Sequence, residues 1–144
     1  MDRIDREILG ILGKDGRRSY TEIGESVGLS SNAVAERVKR LQRSGTIRHI
    51  RASVDPEALG FRLEAHIDVT LKEGISAARF EAALRELPQV LGAAVMTGSF
   101  DYALRVACAD REELFRLVEQ LRERAGARET YSRLILHEVE LGGG

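Results

Sequence analysis

Apolar residues recur every three or four positions through the first 44 residues, which is the spacing of one face of an α-helix. Three such runs are present, separated by Lys14-Asp15-Gly16 and by a turn around Gly28. The pattern therefore predicts three helices, the second over 21–27 and the third ending near Ser44. The residues predicted to cap them are Asp2, Thr21, and either Ser30 or Ser31.

The second and third predicted helices have the spacing of a helix-turn-helix. A tight turn at Gly28 joins them, and Gly24 lies inside the second helix. Because glycine costs about 1 kcal/mol relative to alanine in a helix interior, Gly24 indicates that another part of the chain packs closely there. A generic three-helix packing unit would give the same pattern. The distribution of charge has to distinguish it from a helix-turn-helix.

The third predicted helix is apolar on one side and polar on the other. Val34, Val38 and Leu41 share the apolar side. Residues 30–51 contain six basic side chains and one acidic one, although the whole chain has a net charge of −1. A local excess of positive charge suits the phosphates of DNA and favours a helix-turn-helix. The polar side carries Asn32, Glu36, Lys39, Arg40 and Arg43.

Residues 46–54 have the β-branched content of a strand, which would extend the basic surface in the manner of a winged helix. We expect Asn32 to contact adenine, Glu36 to accept a hydrogen bond from cytosine, and the basic residues to bind mainly phosphates. An ion pair with Arg40, four residues on, explains Glu36 nearly as well. The candidate DNA-binding residues are Ser30, Ser31, Asn32, Glu36, Arg37, Lys39, Arg40, Arg43, Arg48 and Arg51.

The second half of the chain changes to a mixture of strands and helices. Apolar and polar residues alternate through 63–72, as in a strand with one buried face. A helix capped by Ser76 and stopped by Pro88 follows, and we expect its Ala77, Phe80, Leu84 and Leu87 to face inward. A second helix opens with Asp110 and Glu113 as a capping box. The other predicted strands are 90–97, 102–109 and 130–139.

This order, βαββαβ, predicts a ferredoxin-like domain in which two helices cover one face of an antiparallel sheet. The chain as a whole is therefore expected to be an α+β protein. The uncovered face is predicted to be partly apolar, because Ala94 and Met96 alternate with Ala93 and Val95. We expect association of subunits through that face.

Motifs in both halves resemble the Lrp/AsnC (feast/famine) family of transcriptional regulators. The resemblance implies a DNA-binding protein that forms homodimers and higher assemblies and binds an amino-acid effector between subunits. The single cysteine and the lack of a long apolar run in residues 1–20 favour a cytoplasmic location. Gly24 and Ile50 depart from the family pattern, where alanine and tyrosine are usual. The matching segments are Leu9-Gly10-Ile11-Leu12, Asp15-Gly16-Arg17-Arg18, Val27-Gly28-Leu29-Ser30, residues 34–41, Gly45-Thr46-Ile47, residues 97–102 and Thr130-Tyr131-Ser132.

The resemblance also implies an effector site. Backbone N–H groups near Gly98 would bind the effector's carboxylate, Asp101 its ammonium group, and Ser132 would supply a hydroxyl. A tight hairpin with Gly98 and Asp101 in purely structural roles would have the same sequence. The candidate effector-binding residues are Gly98, Ser99, Phe100, Asp101, Ser132 and Leu134.

Charge divides the chain in the same place as the helical and mixed patterns do. Residues 1–51 contain 11 basic and 7 acidic side chains, whereas residues 52–144 contain 11 and 16. We therefore expect a DNA-binding domain at 1–56, a linker at 57–62, and an effector-binding and oligomerisation domain at 63–141.

Other functions have weaker support. CxxC and HxxxH spacings are absent, so we expect no metal, and the single Cys108 has no partner for an internal disulfide. No nucleophile stands beside a base, so an enzyme built on the ferredoxin-like half is a minor alternative. The other alternative function is that of a DNA-organising protein that does not respond to effectors.

Overall fold

A computed structural model describes residues 1–141, which form two compact units. The first unit contains Met1–Ser53 together with the end of the described chain, 139–141. The second is Val54–Glu138. The first unit contains the helices α1 (Arg3–Lys14), α2 (Tyr20–Val27) and α3 (Ser31–Arg43). The second contains β1 (Leu63–Leu71), α4 (Ala77–Arg85), β2 (Val90–Val95), β3 (Tyr102–Cys108), α5 (Arg111–Gln120) and β4 (Ala127–Leu134).

The three helices of the first unit pack around a small apolar core. Buried side chains come from each helix, and the predicted apolar positions of α3 are among them. Gly24 also has the predicted packing role, because a Cβ atom there would overlap with the carbonyl oxygen of Leu29 in the turn between α2 and α3. Gly28 ends α2 with a φ of +74°, a conformation that favours glycine. The core residues are Ile8, Ile23, Val34 and Val38.

Two details of the first unit differ from the sequence-based prediction. Ser19, not Thr21, caps α2, because Glu22 stands three residues after Ser19 and completes a capping box. Residues 46–54 do not form a strand, since no segment of the described chain pairs with them. Ile47 is partly buried against the helical core, while the residues on either side of it are exposed.

The second unit has the predicted ferredoxin-like topology, with strands in the order β2-β3-β1-β4 and every pair antiparallel. The alternation in β1 places Ala65, Ile67 and Val69 in the core beneath the helices. Phe80 of α4 and Leu117 of α5 complete that core from the helical side.

Three predictions for this unit need correction. Ala77 is exposed on the first turn of α4, where it lies beyond the edge of the core. Strand β4 begins at Ala127 and ends at Leu134, so it starts and ends earlier than the residues 130–139 predicted for it. Glu113 accepts hydrogen bonds from the Ala109 backbone N–H and from Gln89, whereas a capping box would require the N–H of Asp110.

The uncovered face of the sheet combines ion pairs with small side chains. Arg105 of β3 pairs with Glu64 at 3.0 Å and with Glu138 at 2.7 Å, and Arg133 of β4 pairs with Asp68 at 3.1 Å. The register places four small residues on the same face, and they are Gly92, Ala94, Ala103 and Ala107. The face is therefore more polar than the sequence of β2 alone indicates.

Candidate nucleic-acid interface and effector site

The amino-terminal end of α3 is fixed by its cap. Ser30 has an extended backbone, and its hydroxyl accepts a hydrogen bond from the N–H of Ala33 at 3.2 Å. This confirms Ser30, one of the two residues predicted to cap α3. Ser31 and Asn32 follow in the first turn with exposed side chains, which leaves them free to contact another molecule.

The exposed side of α3 carries the polar residues predicted for it. Burial of Val34, Val38 and Leu41 orients the helix so that its polar residues face outward. Arg43 has no ion-pair partner within residues 1–141. Glu36 pairs with Lys39 at 3.7 Å, so the predicted ion pair with Arg40 is not formed. The exposed polar residues of α3 are Ser31, Asn32, Glu36, Lys39, Arg40, Gln42 and Arg43.

Arg40 and Arg37 are instead bound to carboxylates of α1. The Nη2 of Arg40 donates to both carboxylate oxygens of Asp5, at 3.0 and 2.9 Å. The Nη1 of Arg37 donates to Asp5 at 2.9 Å and to Asp2 at 2.6 Å. The side chain of Arg37 is 23% exposed and that of Arg40 is 60% exposed. Arg37 is thus largely a structural residue, whereas Arg40 still reaches the surface.

These contacts change the ionisation of the two carboxylates. Hydrogen bonds from Arg37 and from the backbone of Asp5 lower the pKa of Asp2 below its usual value. Burial alone would raise the pKa of Asp5, but hydrogen bonds from Arg37 and the backbone of Asp2, together with the charge of Arg40, outweigh it and lower that pKa. Both residues therefore remain ionised at neutral pH and hold α1 against α3.

Arg48 and Arg51 are exposed on the irregular segment that follows α3. They border an open groove of about 580 Å³ between this segment and the end of α1. Lys14 lines the same groove, so three basic side chains border it. The basic surface thus extends beyond α3 although the predicted strand is missing.

The hairpin between β2 and β3 has the predicted glycine turn. Gly98 has a φ of +98°, which favours glycine. The side chain of Asp101 accepts a hydrogen bond from the N–H of Leu71 at 2.9 Å, and its own N–H donates to Val69. One carboxylate oxygen of Asp101 thus anchors the hairpin to the end of β1, which is the structural role that the sequence left open.

The six candidate effector residues are brought together only in part. Phe100 stacks on Tyr131 of β4 with ring centroids 6.4 Å apart, so the hairpin lies next to β4 on the uncovered face of the sheet. Ser132 and Leu134 alternate with Tyr131 and therefore lie on the opposite face of the strand, where both are exposed. A single chain does not collect the hairpin and these two residues on one surface.

Sequence reasoning missed two residues of these regions. Asp5 reads as an ordinary first-turn acid, and its contact with Arg40 joins positions 35 residues apart, for which one sequence holds no signal. Tyr131 lies in one of the matching motifs, but that motif does not predict its contact with Phe100. Aromatic residues are only 5% of this chain, so an aromatic residue in the hairpin and another in the last strand are the signal that could have suggested this pair.

A helix-turn-helix with an exposed basic face, followed in the chain by a ferredoxin-like domain, defines a class of transcriptional regulator that combines DNA binding with ligand binding. Comparison with known proteins supports this class and specifies the family. Residues 1–42 match the AsnC-type helix-turn-helix domain, and residues 64–143 match the Lrp/AsnC ligand binding domain. The chain belongs to the Lrp/AsnC family of transcriptional regulators.

Relatives of known function agree with this assignment. The chain is 35% identical to the leucine-responsive regulatory protein of Salmonella typhimurium over 143 residues, which cover 97% of this chain and 87% of that protein. It is 34% identical to the Escherichia coli K12 protein of the same name, with the same coverage of each chain. These relatives and the solved structures below are transcriptional regulators and not enzymes, so the minor enzyme alternative is set aside.

Solved structures show the same fold. A transcriptional regulator from Neisseria meningitidis, in complex with L-methionine, superimposes with a TM-score of 0.88 at 31% identity, covering 97% of this chain and 92% of that one. Bacillus subtilis LrpC gives a TM-score of 0.87 at 27% identity, with 98% of both chains covered.

None of the helices among residues 1–141 is long and apolar enough to cross a membrane.

Proposed function

We propose that residues 1–56 bind double-stranded DNA with α3 in the major groove. The observation that carries this proposal is the exposed face of α3, which presents Asn32, Lys39 and Arg43 to solvent while the opposite side is held in the core. Asn32 can donate to and accept from adenine, and Glu36 can accept from cytosine. Lys39 and Arg43 bind phosphates, and Ser30 and Ser31 stand at the helix end closest to the bases.

Arg48 and Arg51 extend this interface along the segment after α3. Their exposure and the basic groove beside them support a role in binding the DNA backbone next to the major groove. A homodimer would present two copies of α3, and the half-sites would then lie about 34 Å apart, one turn of DNA. We therefore propose near-palindromic operators.

Binding to DNA upstream of the protein's own gene, measured over a range of salt concentrations, tests the DNA-binding proposal. We expect tighter binding to this DNA than to a shuffled duplex of equal length, and affinity that falls steeply with salt. Equal affinity for both duplexes would contradict sequence-specific regulation and favour the DNA-organising alternative.

We further propose that residues 63–141 bind an amino-acid effector and mediate oligomerisation, with 57–62 as the linker. Support comes from the ligand-binding family model and from the L-methionine complex of the Neisseria relative. In this chain the free oxygen of Asp101 is suited to an ammonium group, and the backbone around Gly98 and Ser99 to a carboxylate.

Two copies of the chain would complete this site. Phe100 and Asp101 belong to the hairpin, whereas Ser132 and Leu134 lie on the opposite face of β4, so a second subunit has to supply the missing set. Such a site favours whichever assembly contains it, and an effector that binds only one assembly shifts the population toward it. The cytoplasm, where the DNA is, is the compartment that this function requires.

Oligomer size with and without amino acids tests the effector proposal. We expect light scattering after size-exclusion chromatography to detect a different mass distribution with at least one of the twenty amino acids. Identical distributions with all of them, together with unchanged DNA affinity, would contradict it.

A further inference from the structure

Asp5 of α1 accepts more hydrogen bonds than any other carboxylate among the described residues of the first unit. It does not belong to α3, the helix proposed to enter the major groove of DNA. The side chain of Asp5 is only 2% exposed. It receives three hydrogen bonds from the guanidinium groups of Arg37 and Arg40, and a fourth from the backbone N–H of Asp2 at 3.2 Å. A buried carboxylate with this many donors is fixed in position, and it fixes the groups that bind it.

The two arginines have different relations to the surface. Arg37 is mostly buried and is shared between Asp5 and Asp2, so it joins the two helices. Arg40 lies on the exposed side of α3 in a shallow depression with Glu36 and Arg43. Only its Nη2 contacts Asp5, and 60% of its side chain remains accessible. Arg40 is therefore an exposed cation with one end held by a buried anion.

Holding the guanidinium in this way has two consequences for DNA binding. A free arginine adapts to any phosphate and strengthens binding to every sequence. A held arginine meets a phosphate in one geometry only and so restricts the register in which the helix lies in the groove. Its charge is also partly offset by the carboxylate, which weakens binding in all other registers.

We propose that Asp5 sets the sequence specificity of DNA binding by holding Arg40 in one orientation. Asp5 does not touch DNA and is a positioning residue that acts through Arg40. The inference rests on the proposed function, in which α3 lies in the major groove.

The test compares Asp5→Asn with the wild-type protein on two duplexes, one selected by the wild type from a random library and one a shuffled control. Release of Arg40 adds one phosphate contact on shuffled DNA. The log–log salt slope there steepens by about 0.9, and the preference for the selected duplex falls on the order of threefold. Glu7→Gln is the matched control, because it removes an α1 carboxylate that pairs with Arg3 and not with α3. We expect it to leave slope and preference unchanged.

A variant on the exposed side keeps the test decisive if Asp5→Asn does not fold. Arg40→Lys retains the charge but removes the guanidinium that bridges both oxygens of Asp5, and its exposure makes folding tolerant of the change. We expect the same loss of preference. If both variants fold, the Asp5→Asn effect should disappear in the Arg40→Lys background.

The outcomes separate the inference from the proposed function. A wild type without preference for the selected duplex would overturn the proposed function and the inference with it. A wild type with that preference, beside variants with equal losses on both duplexes and unchanged salt slopes, would overturn the inference alone, since it would mean that Asp5 only stabilises the fold.

Discussion

Gly24 of α2 lies against the carbonyl group of Leu29, so close that a side chain on Gly24 would overlap with the carbonyl oxygen. The turn between α2 and α3 therefore passes directly against α2 at this position. We predict that Gly24→Ala destabilises the first unit by about 1–3 kcal/mol, the usual cost of overpacking. Urea unfolding monitored by circular dichroism measures this loss of unfolding free energy.

Gly10→Ala is the control for that prediction. Gly10 is also a helical glycine, but it is exposed and a Cβ atom there would meet nothing within 4 Å. Alanine should therefore stabilise α1 by up to about 1 kcal/mol. Equal effects of the two substitutions would contradict the packing role of Gly24.

The carboxylate of Asp5 makes the stability of the first unit depend on pH. Its pKa is lowered in the folded protein, so its contribution is fully present above the unfolded value of 3.8 and is lost as the pH falls from there through the folded pKa. Hydrogen exchange at the Ile8 and Val38 amides should accelerate relative to the intrinsic rate below about pH 4. In Asp5→Asn the acceleration should be smaller. An identical pH dependence of the exchange rates in the wild type and in Asp5→Asn would refute this role of Asp5.

Cys108 is predicted to be inert toward thiol reagents at neutral pH. Its side chain is buried in β3, and burial raises its pKa to about 11, with further contributions from Glu113 and Asp110. Ellman's reagent at pH 7.5 should label less than a tenth of the native protein within an hour and all of it in guanidinium. Rapid labelling of the native protein would mean that β3 is open to solvent.

Asp101 offers a way to separate the two roles of its carboxylate. Asparagine retains an oxygen that accepts from the Leu71 N–H but loses the charge that would bind an ammonium group. Asp101→Asn should therefore change unfolding free energy by less than about 1 kcal/mol and abolish the response of oligomer size to amino acids.

Asp110→Asn is the matched control, since asparagine caps a helix as well as aspartate does and Asp110 lies outside the hairpin. It should retain the effector response. A full response in Asp101→Asn would remove Asp101 from the effector site.

Much of this fold follows from local pattern, because alternation and helical spacing each report which face of an element is buried. The strict alternation of β1 and the apolar stripe of α3 predicted both faces correctly. Residues 46–54 were the one predicted element that did not form. Their β-branched content indicates the conformation that a strand would favour, but a strand also needs a partner, and nothing local in the sequence states whether one exists.

The candidate interface was predictable in composition but not in its contacts. The basic residues of α3 are where helical geometry places them. Which of them are free depends on Asp2 and Asp5, which reach Arg37 and Arg40 only after the three helices have packed. The cap of α2 failed for a smaller reason, since Ser19 and Thr21 both suit the position and only Ser19 has an acid three residues later.

The central claim is that the exposed face of α3 binds DNA, and Arg43→Ala tests it most directly. Arg43 is exposed and unpaired in the described chain, so its loss should not disturb the fold. Fluorescence anisotropy with labelled DNA from upstream of the gene, between 50 and 200 mM salt, should give weaker binding and a log–log slope shallower by about 0.9. Arg85→Ala, an equal loss of charge on α4, should leave both unchanged. Unaltered affinity and slope in Arg43→Ala would contradict the account.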